Sequence, residues 1–222
     1  MAMPKKSPIY TRAWTFVSGI KLMMISTGQR RWLFFMFSVL PLLYIVQAVV
    51  RVQLGNWELL GPEPGKTIVH FTGAWAFNLL IATLCVTPLT RYLKWRWLMP
   101  HRRMLGLFFA FYISLHGIAY LAFLLEWHWA DLATEVVERP YLLLGTMAWL
   151  LTMPLIITST KGWQRKLKRR WKTLHQLIYL IALLAAAHYL LQIRAGWFEP
   201  VLYAVITLFL LSTRLFHKTA RK

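Results

Sequence analysis

The sequence predicts an all-α membrane protein, a six-helix transmembrane bundle with both termini on the cytoplasmic side. Apolar stretches long enough to cross a bilayer recur along the chain, and the acidic and basic residues are sorted into alternating loops. Only 15% of the 222 residues are charged and 58% are hydrophobic, whereas about a quarter of a soluble domain is charged. These features exclude an ordinary soluble domain.

Six stretches are long enough to be membrane spans. A transmembrane helix needs about 20 mainly apolar residues to cross roughly 30 Å of hydrocarbon. The stretches that qualify are 32–50, 67–89, 104–125, 141–158, 173–192 and 197–213. Pro41, Pro88 and Pro154 lie inside three of them and predict kinks or helix ends, which packed membrane helices tolerate.

The spans divide the chain into three parts. The bundle is expected at 32–213, followed by a basic cytoplasmic tail at 214–222. The basic segment 1–31 has no signal-peptide cleavage site. It predicts an interfacial helix on the inner leaflet or an unstructured lead-in. No sequence repeat divides the chain further.

The charge distribution predicts the orientation. The chain has seven acidic residues, and all of them lie in three loops that also contain only four basic residues. The acids are Glu58, Glu63, Glu126, Asp131, Glu135, Glu138 and Glu199. The other 22 lysine and arginine residues lie in the N-terminal segment, the loops 90–103 and 159–172, and the tail. Because positive residues stay cytoplasmic, the acidic loops are expected outside. Topology thus explains the net charge of +19, and a nucleic-acid partner is not expected.

Three histidines lie inside the predicted spans: His116 in the third, and His175 and His188 in the fifth. An ionisable residue inside a membrane span is a functional-site hypothesis by default. No acid lies in the spans to pair with these histidines, so they predict iron ligands rather than a proton relay. The chain has no C-x-x-C-H motif and one cysteine, Cys85. A haem would therefore be non-covalent, of b type, and Cys85 is expected to be a small core residue.

The topology places these histidines at two depths. His175 directly follows a cytoplasmic basic loop, and His188 lies thirteen residues further on, roughly 20 Å outward at about 1.5 Å per residue. His116 is about as deep in the third span as His188 is in the fifth. His116 and His188 are therefore predicted to be the axial ligands of one haem in the outer half of the bilayer.

The inner level leaves alternatives open. His175 faces the start of the third span, where His101 could be an opposite ligand or Arg102 could pair with a haem propionate. At 3.6 residues per turn, His175 and His188 are about 140° apart around a regular helix. Both can serve stacked haems only if the helix is irregular or the haems are offset, so a second haem remains an open alternative.

Each histidine also has a simpler interpretation. The role of His116 or His188 could be merely to hydrogen-bond a carbonyl in the bundle. His175 could be a packing or solvated residue. His101 and His217 lie among basic residues and are interpreted as solvated, and His128 as a loop residue. A ligand role, a quinone contact and a packing role are all open for His70.

Several short motifs together resemble the YedZ/MsrQ family, the haem-binding membrane subunit of the periplasmic methionine sulfoxide reductase system. They occur in order from about residue 67 to residue 192. They are HFTG at 70–73, TPLTRY at 87–92, RRMLGL at 102–107, LH at 115–116, RPYLLLG at 139–145, TST at 158–160, WKTLHQLIYL at 171–180 and HY at 188–189.

The resemblance implies a ferric-reductase-like bundle in the bacterial inner membrane. Such a protein takes electrons from the quinol pool and passes them through haem b to a periplasmic, molybdopterin-containing methionine sulfoxide reductase subunit, which repairs oxidised periplasmic proteins. The family is also associated with FMN. It implies haem-ligand roles for His116, His175 and His188, and places Arg102 where related oxidases carry a further histidine. The chain is then an electron-transfer subunit rather than the catalytic one.

Two other functions are compatible with parts of the sequence. A quinol-oxidising haem b protein could serve another periplasmic acceptor, and composition does not separate the two. A proton-coupled transporter is disfavoured because it would show acids or broken helices at mid-bilayer and often inverted repeats, whereas every acid here lies outside the spans and no repeat is visible. Because the sequence ends soon after the sixth stretch, no flavin or nicotinamide domain is expected on the chain. The expected electron donors are a quinol, a bound flavin or a separate cytosolic flavin reductase.

Overall fold

The computed structural model describes residues 26–56, 58–192 and 196–219, with side chains as far as residue 214. Every secondary-structure element in these ranges is helical. Most of the segment 1–31, for which an interfacial helix was predicted, lies outside the described residues. Its last five residues, from Thr27, already belong to the first helix.

Nine α-helices occur in the described part of the chain, together with a 3-10 helix at Arg96–His101. They are α1 Thr27–Gln53, α2 Pro64–Tyr92, α3 Arg102–Phe123, α4 Trp129–Glu138, α5 Pro140–Ile157, α6 Lys161–Leu167, α7 Arg169–Leu174, α8 Leu177–Leu191 and α9 Phe198–Thr219. The all-α prediction is therefore confirmed.

Five of the helical segments are long and apolar enough to cross a membrane. In the described residues they are Thr27–Gln53, Pro64–Tyr92, Arg96–Phe123, Pro140–Ile157 and Arg169–Leu191. They coincide with the first five predicted spans. Helix α9 covers the sixth predicted stretch but is not one of the five. The count of six spans and the cytoplasmic location of both termini therefore remain predictions.

Local sequence explains where the long helices begin. Ser26 caps α1 through a capping box, in which its hydroxyl accepts from the Gln29 backbone and the Gln29 side chain accepts from the Ser26 backbone. Helices α2 and α5 begin with Pro64 and Pro140. Proline is favoured there because its fixed φ suits the first turn and its missing N–H would be unpaired anyway.

The long helices form two antiparallel hairpins, α2 with α3 and α5 with α8. Packing is closest inside each hairpin, and between the hairpins α3 touches α5 more lightly. The backbones of α3 and α8 hardly approach each other. Helix α1 packs on α2 and α3, whereas α9 packs on α8 and α2. This arrangement leaves the space between α3 and α8 to be spanned by side chains.

A proline in α2 provides an attachment point for α9. Pro88 lies inside α2 and has no N–H, so the carbonyl of Leu84, four residues earlier, has no helical donor. Arg214 of α9 donates from Nη2 to that carbonyl at 2.7 Å. Such replacement donors are how membrane helices tolerate proline. The same two helices are joined by Tyr203, whose hydroxyl donates to Asn78 Oδ1 at 2.6 Å.

The inner basic segments are structured. The predicted loop 90–103 contains the end of α2 and the 3-10 helix, and the predicted loop 159–172 contains α6 and part of α7. Lys168, between α6 and α7, has a positive φ of 48°. His175 and Gln176 lie in a break between α7 and α8, so the fifth span is irregular. One of the two conditions for His175 and His188 to serve stacked haems is thus met.

Candidate functional site

His116 and His188 face each other between the two hairpins. Their ring centroids are 6.1 Å apart, and the ring planes are inclined by 81°. His116 lies on α3 and His188 on α8, the helices whose backbones stay apart. The structure therefore brings together the two histidines that the sequence placed at one depth.

A carbonyl and a glycine of α2 hold His116. Its Nδ1 lies 2.9 Å from the carbonyl oxygen of Val69. Because a carbonyl can only accept, Nδ1 carries the proton and Nε2 carries a free lone pair. Gly73 lies one helical turn after Val69, and a Cβ at Gly73 would come within 3.0 Å of the His116 ring. The imidazole thus occupies the space where another residue would carry a side chain.

His188 has the same surroundings on α5. Its Nδ1 lies 2.6 Å from the carbonyl oxygen of Tyr141, which again leaves Nε2 as the unprotonated nitrogen. Gly145 lies one turn after Tyr141, and a Cβ there would come within 2.9 Å of His188 Nδ1. Each hairpin therefore supplies one histidine, held by a carbonyl and a glycine of the other helix in that hairpin.

The two units share one spacing in the sequence. Each histidine lies 47 residues after the residue whose carbonyl it binds. The glycine follows that residue by one helical turn in both units. The two histidines thus have the same local arrangement of carbonyl, glycine and imidazole.

The separation of the two rings matches that of two imidazoles on one iron atom. A metal–imidazole bond is about 2.0–2.1 Å long and a ring centroid lies roughly 1 Å behind its nitrogen, so two axial imidazoles on one metal have centroids about 6 Å apart. The observed separation is 6.1 Å. The described residues contain no cluster of three or more side chains that could hold a metal ion. Two imidazoles without further protein ligands suit haem, whose macrocycle supplies the equatorial nitrogens.

A cavity of about 850 Å³ opens at the end of the bundle that is predicted to face outside. Its lining includes Tyr141 and Tyr189, which are neighbours of the His188 site, and Lys66 and Arg139. Each of these two cations has an acidic partner: Lys66 pairs with Glu63 at 2.8 Å, and Arg139 with Glu135 at 2.7 Å.

His70 lines the same cavity. Its side chain is exposed rather than packed in the core, so the packing interpretation is wrong. It lies within electrostatic range of both His116 and His188. A ligand role and a quinone contact remain predictions. His128 precedes α4 and donates from Nδ1 to the Leu125 carbonyl at 2.9 Å, in agreement with its interpretation as a loop residue.

At the opposite end of the bundle, the surroundings of His175 are different. Its Nε2 lies 3.1 Å from Thr158 Oγ1, and the Thr158 hydroxyl donates to the Pro154 carbonyl at 2.6 Å. With that hydrogen committed, His175 Nε2 is the donor to Thr158. The ring stacks on Trp171 at 4.1 Å between centroids, and Trp171 Nε1 donates to the Thr158 carbonyl at 2.8 Å.

Arg102 lies near His175, as predicted. It is within electrostatic range of His175, and also of Tyr179 and Arg214. His101 does not point to solvent: it is only 3% exposed and stacks on Phe34 of α1 at 4.7 Å between centroids. The interpretation of His101 as solvated is therefore wrong, because α1 covers its ring. His217 lies outside the described side chains.

Sequence reasoning missed the residues that orient the histidines. Gly73 and Gly145 close the motifs HFTG and RPYLLLG, but nothing in those motifs assigns a role to the glycine. The signal that could have found them is the equal spacing from each glycine to its histidine. Thr158 and Arg214 were also missed, because their partners are distant in sequence or are backbone atoms.

Comparisons with known proteins agree with this architecture. The model of the family described as "Ferric reductase like transmembrane component" matches residues 72–186. The protein-methionine-sulfoxide reductase heme-binding subunit MsrQ of Xanthomonas euvesicatoria pv. vesicatoria is 44% identical over 172 residues, covering 78% of this chain and 79% of the relative. The chain belongs to the MsrQ family.

Further members of this family show the same relationship. The MsrQ protein of Xanthomonas campestris pv. campestris (strain B100) is 45% identical over 165 residues, covering 74% of this chain and 76% of the relative. That of Salmonella paratyphi B is 41% identical over 196 residues, covering 86% and 96%. No solved structure matches the chain. Family and fold together make it a multi-pass protein of the bacterial inner membrane with an electron-transfer role.

Proposed function

We propose that this chain is the haem b-binding subunit of a protein-methionine-sulfoxide reductase system. In this role it carries electrons from the quinol pool across the inner membrane to a periplasmic, molybdopterin-containing catalytic subunit. The relatives are named as heme-binding subunits of such a reductase, which supports the partner class. The substrates repaired by the complex are then oxidised methionines of periplasmic proteins.

The observation that carries the proposal is the facing pair His116 and His188. Both present an unprotonated Nε2, at a separation that suits a shared iron. When bound, haem supplies an iron that gains and loses one electron while the protein sets its ligation and burial. The carbonyls of Val69 and Tyr141 fix the tautomer and the orientation of each ring, as outer-shell partners of ligand histidines do.

At the inner end we propose that His175 and Arg102 serve electron entry. His175 is the candidate inner iron ligand or a residue at the haem edge. The hydrogen bond from its Nε2 to Thr158 favours the second role, because that nitrogen already donates a proton. A quinol is the proposed donor, with FMN as an intermediate carrier or a cytosolic flavin reductase as the alternative source, and for these carriers the support is the family resemblance.

Reduction and reoxidation of the purified chain test this function. The chain, produced with haem and held in detergent, should show the α-band of a six-coordinate b-type cytochrome after reduction by a soluble quinol. Adding the catalytic subunit from the same organism with methionine sulfoxide should reoxidise it, and the catalytic subunit with plain methionine is the control.

Two outcomes would contradict the proposal at different points. A colourless protein, or one lacking the six-coordinate spectrum, would remove the haem assignment. A haem that quinol reduces but that the catalytic subunit and sulfoxide leave reduced would point instead to another periplasmic acceptor.

A further inference from the structure

Arg214 of α9 is held in the bundle at the inner end. Its Nη1 donates to the Tyr179 hydroxyl at 2.5 Å, and its Nη2 donates to the Leu84 carbonyl at 2.7 Å. Its guanidinium carbon lies 4.8 Å from the centroid of the Tyr179 ring. The remaining nitrogen, Nε, is buried and has no hydrogen-bond partner. The two terminal nitrogens of Arg214 are therefore hydrogen-bonded, whereas its Nε lacks an acceptor.

A second arginine lies beside it. Arg102, at the start of α3, is within electrostatic range of Arg214 and of Tyr179. No acid of the chain lies in the inner segments. The ion pairs among the described residues, Lys66–Glu63 and Arg139–Glu135, are both at the outer end. Two guanidinium groups thus lie near one tyrosine, and neither forms an ion pair with an aspartate or glutamate of the described residues.

Such an arrangement is unfavourable without an anion. Charged side chains inside a membrane bundle are costly and normally pair with an opposite charge or line a ligand path, and the side chains of Arg102 and Arg214 are both only partly exposed. The planar guanidinium matches carboxylate and phosphate oxygens and binds them through two parallel hydrogen bonds. The Tyr179 hydroxyl accepts from Arg214, so its own proton is available to an oxygen atom.

We propose that Arg102 and Arg214, with Tyr179 between them, bind an oxyanion at the inner end of the bundle. The group is a carboxylate or a phosphate of a bound molecule. Its sources are a haem propionate, the phosphate of a flavin nucleotide and the headgroup phosphate of a lipid. The inference rests on the proposed function for the first two sources only. Because no aspartate or glutamate of the described residues forms an ion pair with Arg214, the inference gives Arg214 a role in binding the oxyanion.

Three pairs of probes separate the sources, each with an anionic and a neutral or esterified member. They are haem against haem dimethyl ester, FMN against riboflavin, and phosphatidic acid against diacylglycerol as the added lipid. Binding to the full chain is measured by absorbance for haem, by flavin fluorescence, and by lipid retained after delipidation. The variants are Arg102→Gln, Arg214→Gln and the double variant, and the exposed neighbour Arg103 provides the matched control Arg103→Gln.

We expect the wild-type chain to bind the anionic member of at least one pair about tenfold or more tightly than its partner, as for a hydrogen bond to a charged group. Arg102→Gln and Arg214→Gln should each abolish that preference, and the double variant should lose no more than either. Arg103→Gln should keep it. Which pair shows the preference identifies the source of the anion.

The proposal is overturned if no pair shows a preference in the wild type, or if both glutamine variants keep it. Because Arg214 also satisfies the Leu84 carbonyl, Arg214→Gln could unfold the chain. In that case Arg214→Lys is used in place of Arg214→Gln, since lysine keeps the charge but lacks the planar guanidinium. Tyr179→Phe tests the hydroxyl separately. The lipid pair needs neither haem nor flavin, so its result stands or fails apart from the proposed function.

Discussion

The two ends of the bundle hold their histidines in opposite hydrogen-bonding states. In the outer pair, His116 and His188 use Nδ1 to bind backbone carbonyls, which leaves Nε2 free. At the inner end, His175 uses Nε2 to bind the Thr158 side chain. The outer rings also lie over glycines, whereas the His175 ring stacks on Trp171.

The basic residues at the two ends also differ in whether they have acidic partners. The cations that line the outer cavity, Lys66 and Arg139, are each paired with a glutamate. The inner arginines, Arg102 and Arg214, have no acid near them. The proposed metal site thus lies at the end where the cations lining the cavity are paired, and the proposed anion site lies at the end where the arginines are not.

The difference lies in what fixes the tautomer of each histidine. A helix carbonyl cannot donate, so it fixes the tautomer of the imidazole it binds. A threonine hydroxyl can donate or accept, so it fixes the tautomer only through its own partner. Nε2 is therefore left free in His116 and His188 by the backbone itself, whereas in His175 it is engaged because the Thr158 hydroxyl donates to Pro154.

The comparison depends most on which end of the bundle faces the periplasm. Reporter fusions after residue 135 should behave as periplasmic and those after residue 166 as cytoplasmic, because acidic and basic residues are so fully segregated between these segments. A pair of reporters, one active only in the periplasm and one only in the cytoplasm, checks this with opposite signals. The reverse pattern would place the histidine pair at the cytoplasmic side.

Loss of either outer histidine should abolish the six-coordinate haem. In His116→Ala or His188→Ala one axial ligand is missing, so any iron that remains is five-coordinate in a looser pocket. The reduced α-band and the haem content per protein measure this. His128→Ala is the control, since His128 lies outside the spans. If both single variants kept a wild-type spectrum, the ligand assignment would be wrong.

Much of the fold was predictable because it depends on apolar length and loop charge. The first five spans coincide with observed helices, and the equal depth of His116 and His188 follows from counting along those spans. For the helix break at His175, the sequence states only that such an irregularity is one way for His175 and His188 to serve stacked haems. The break arises from local turns after Trp171 that no residue type in the segment announces.

The orienting contacts could not be predicted because they involve backbone atoms or depend on packing. The carbonyls of Val69 and Tyr141 carry no sequence signature, and Gly73 and Gly145 matter only because an opposite ring occupies the space of a side chain. His101 was expected among solvated residues because its neighbours are basic, but α1 covers it. The partner of Arg214 depends on a proline over a hundred residues earlier.

Filling the space under an outer histidine should have a smaller effect than removing the ring. In Gly73→Ala or Gly145→Ala the new Cβ comes within 3.0 or 2.9 Å of the imidazole, which displaces the ring from its carbonyl. We expect haem affinity to fall about 10- to 100-fold, as for other outer-shell changes at metal sites. Haem titration of the apoprotein measures it.

The control for these variants lies beside His116. Gly117→Ala adds a Cβ with no atom within 4 Å. Alanine favours helix more than glycine by about 1 kcal/mol, so none of the three changes should weaken its helix. Equal affinity in all three variants and the wild type would show that the glycines do not position the rings.

The smallest expected effect concerns the inner end and tests whether His175 is held by Thr158. In Thr158→Val the hydrogen bond to His175 Nε2 is lost with little change in shape. Loss of one neutral hydrogen bond is worth about 0.5–1.5 kcal/mol, so reduction by quinol or reduced flavin should slow by roughly two- to tenfold. His175→Ala should slow it further, because the ring itself is gone. Both variants should keep the outer haem signal, which rapid mixing records separately.

Thr152→Val is the matched control, since the Thr152 hydroxyl bonds only the Ala148 carbonyl of its own helix. Unchanged rates in Thr158→Val and His175→Ala would restrict His175 to packing against Trp171, and electron entry would then have to occur elsewhere on the inner face.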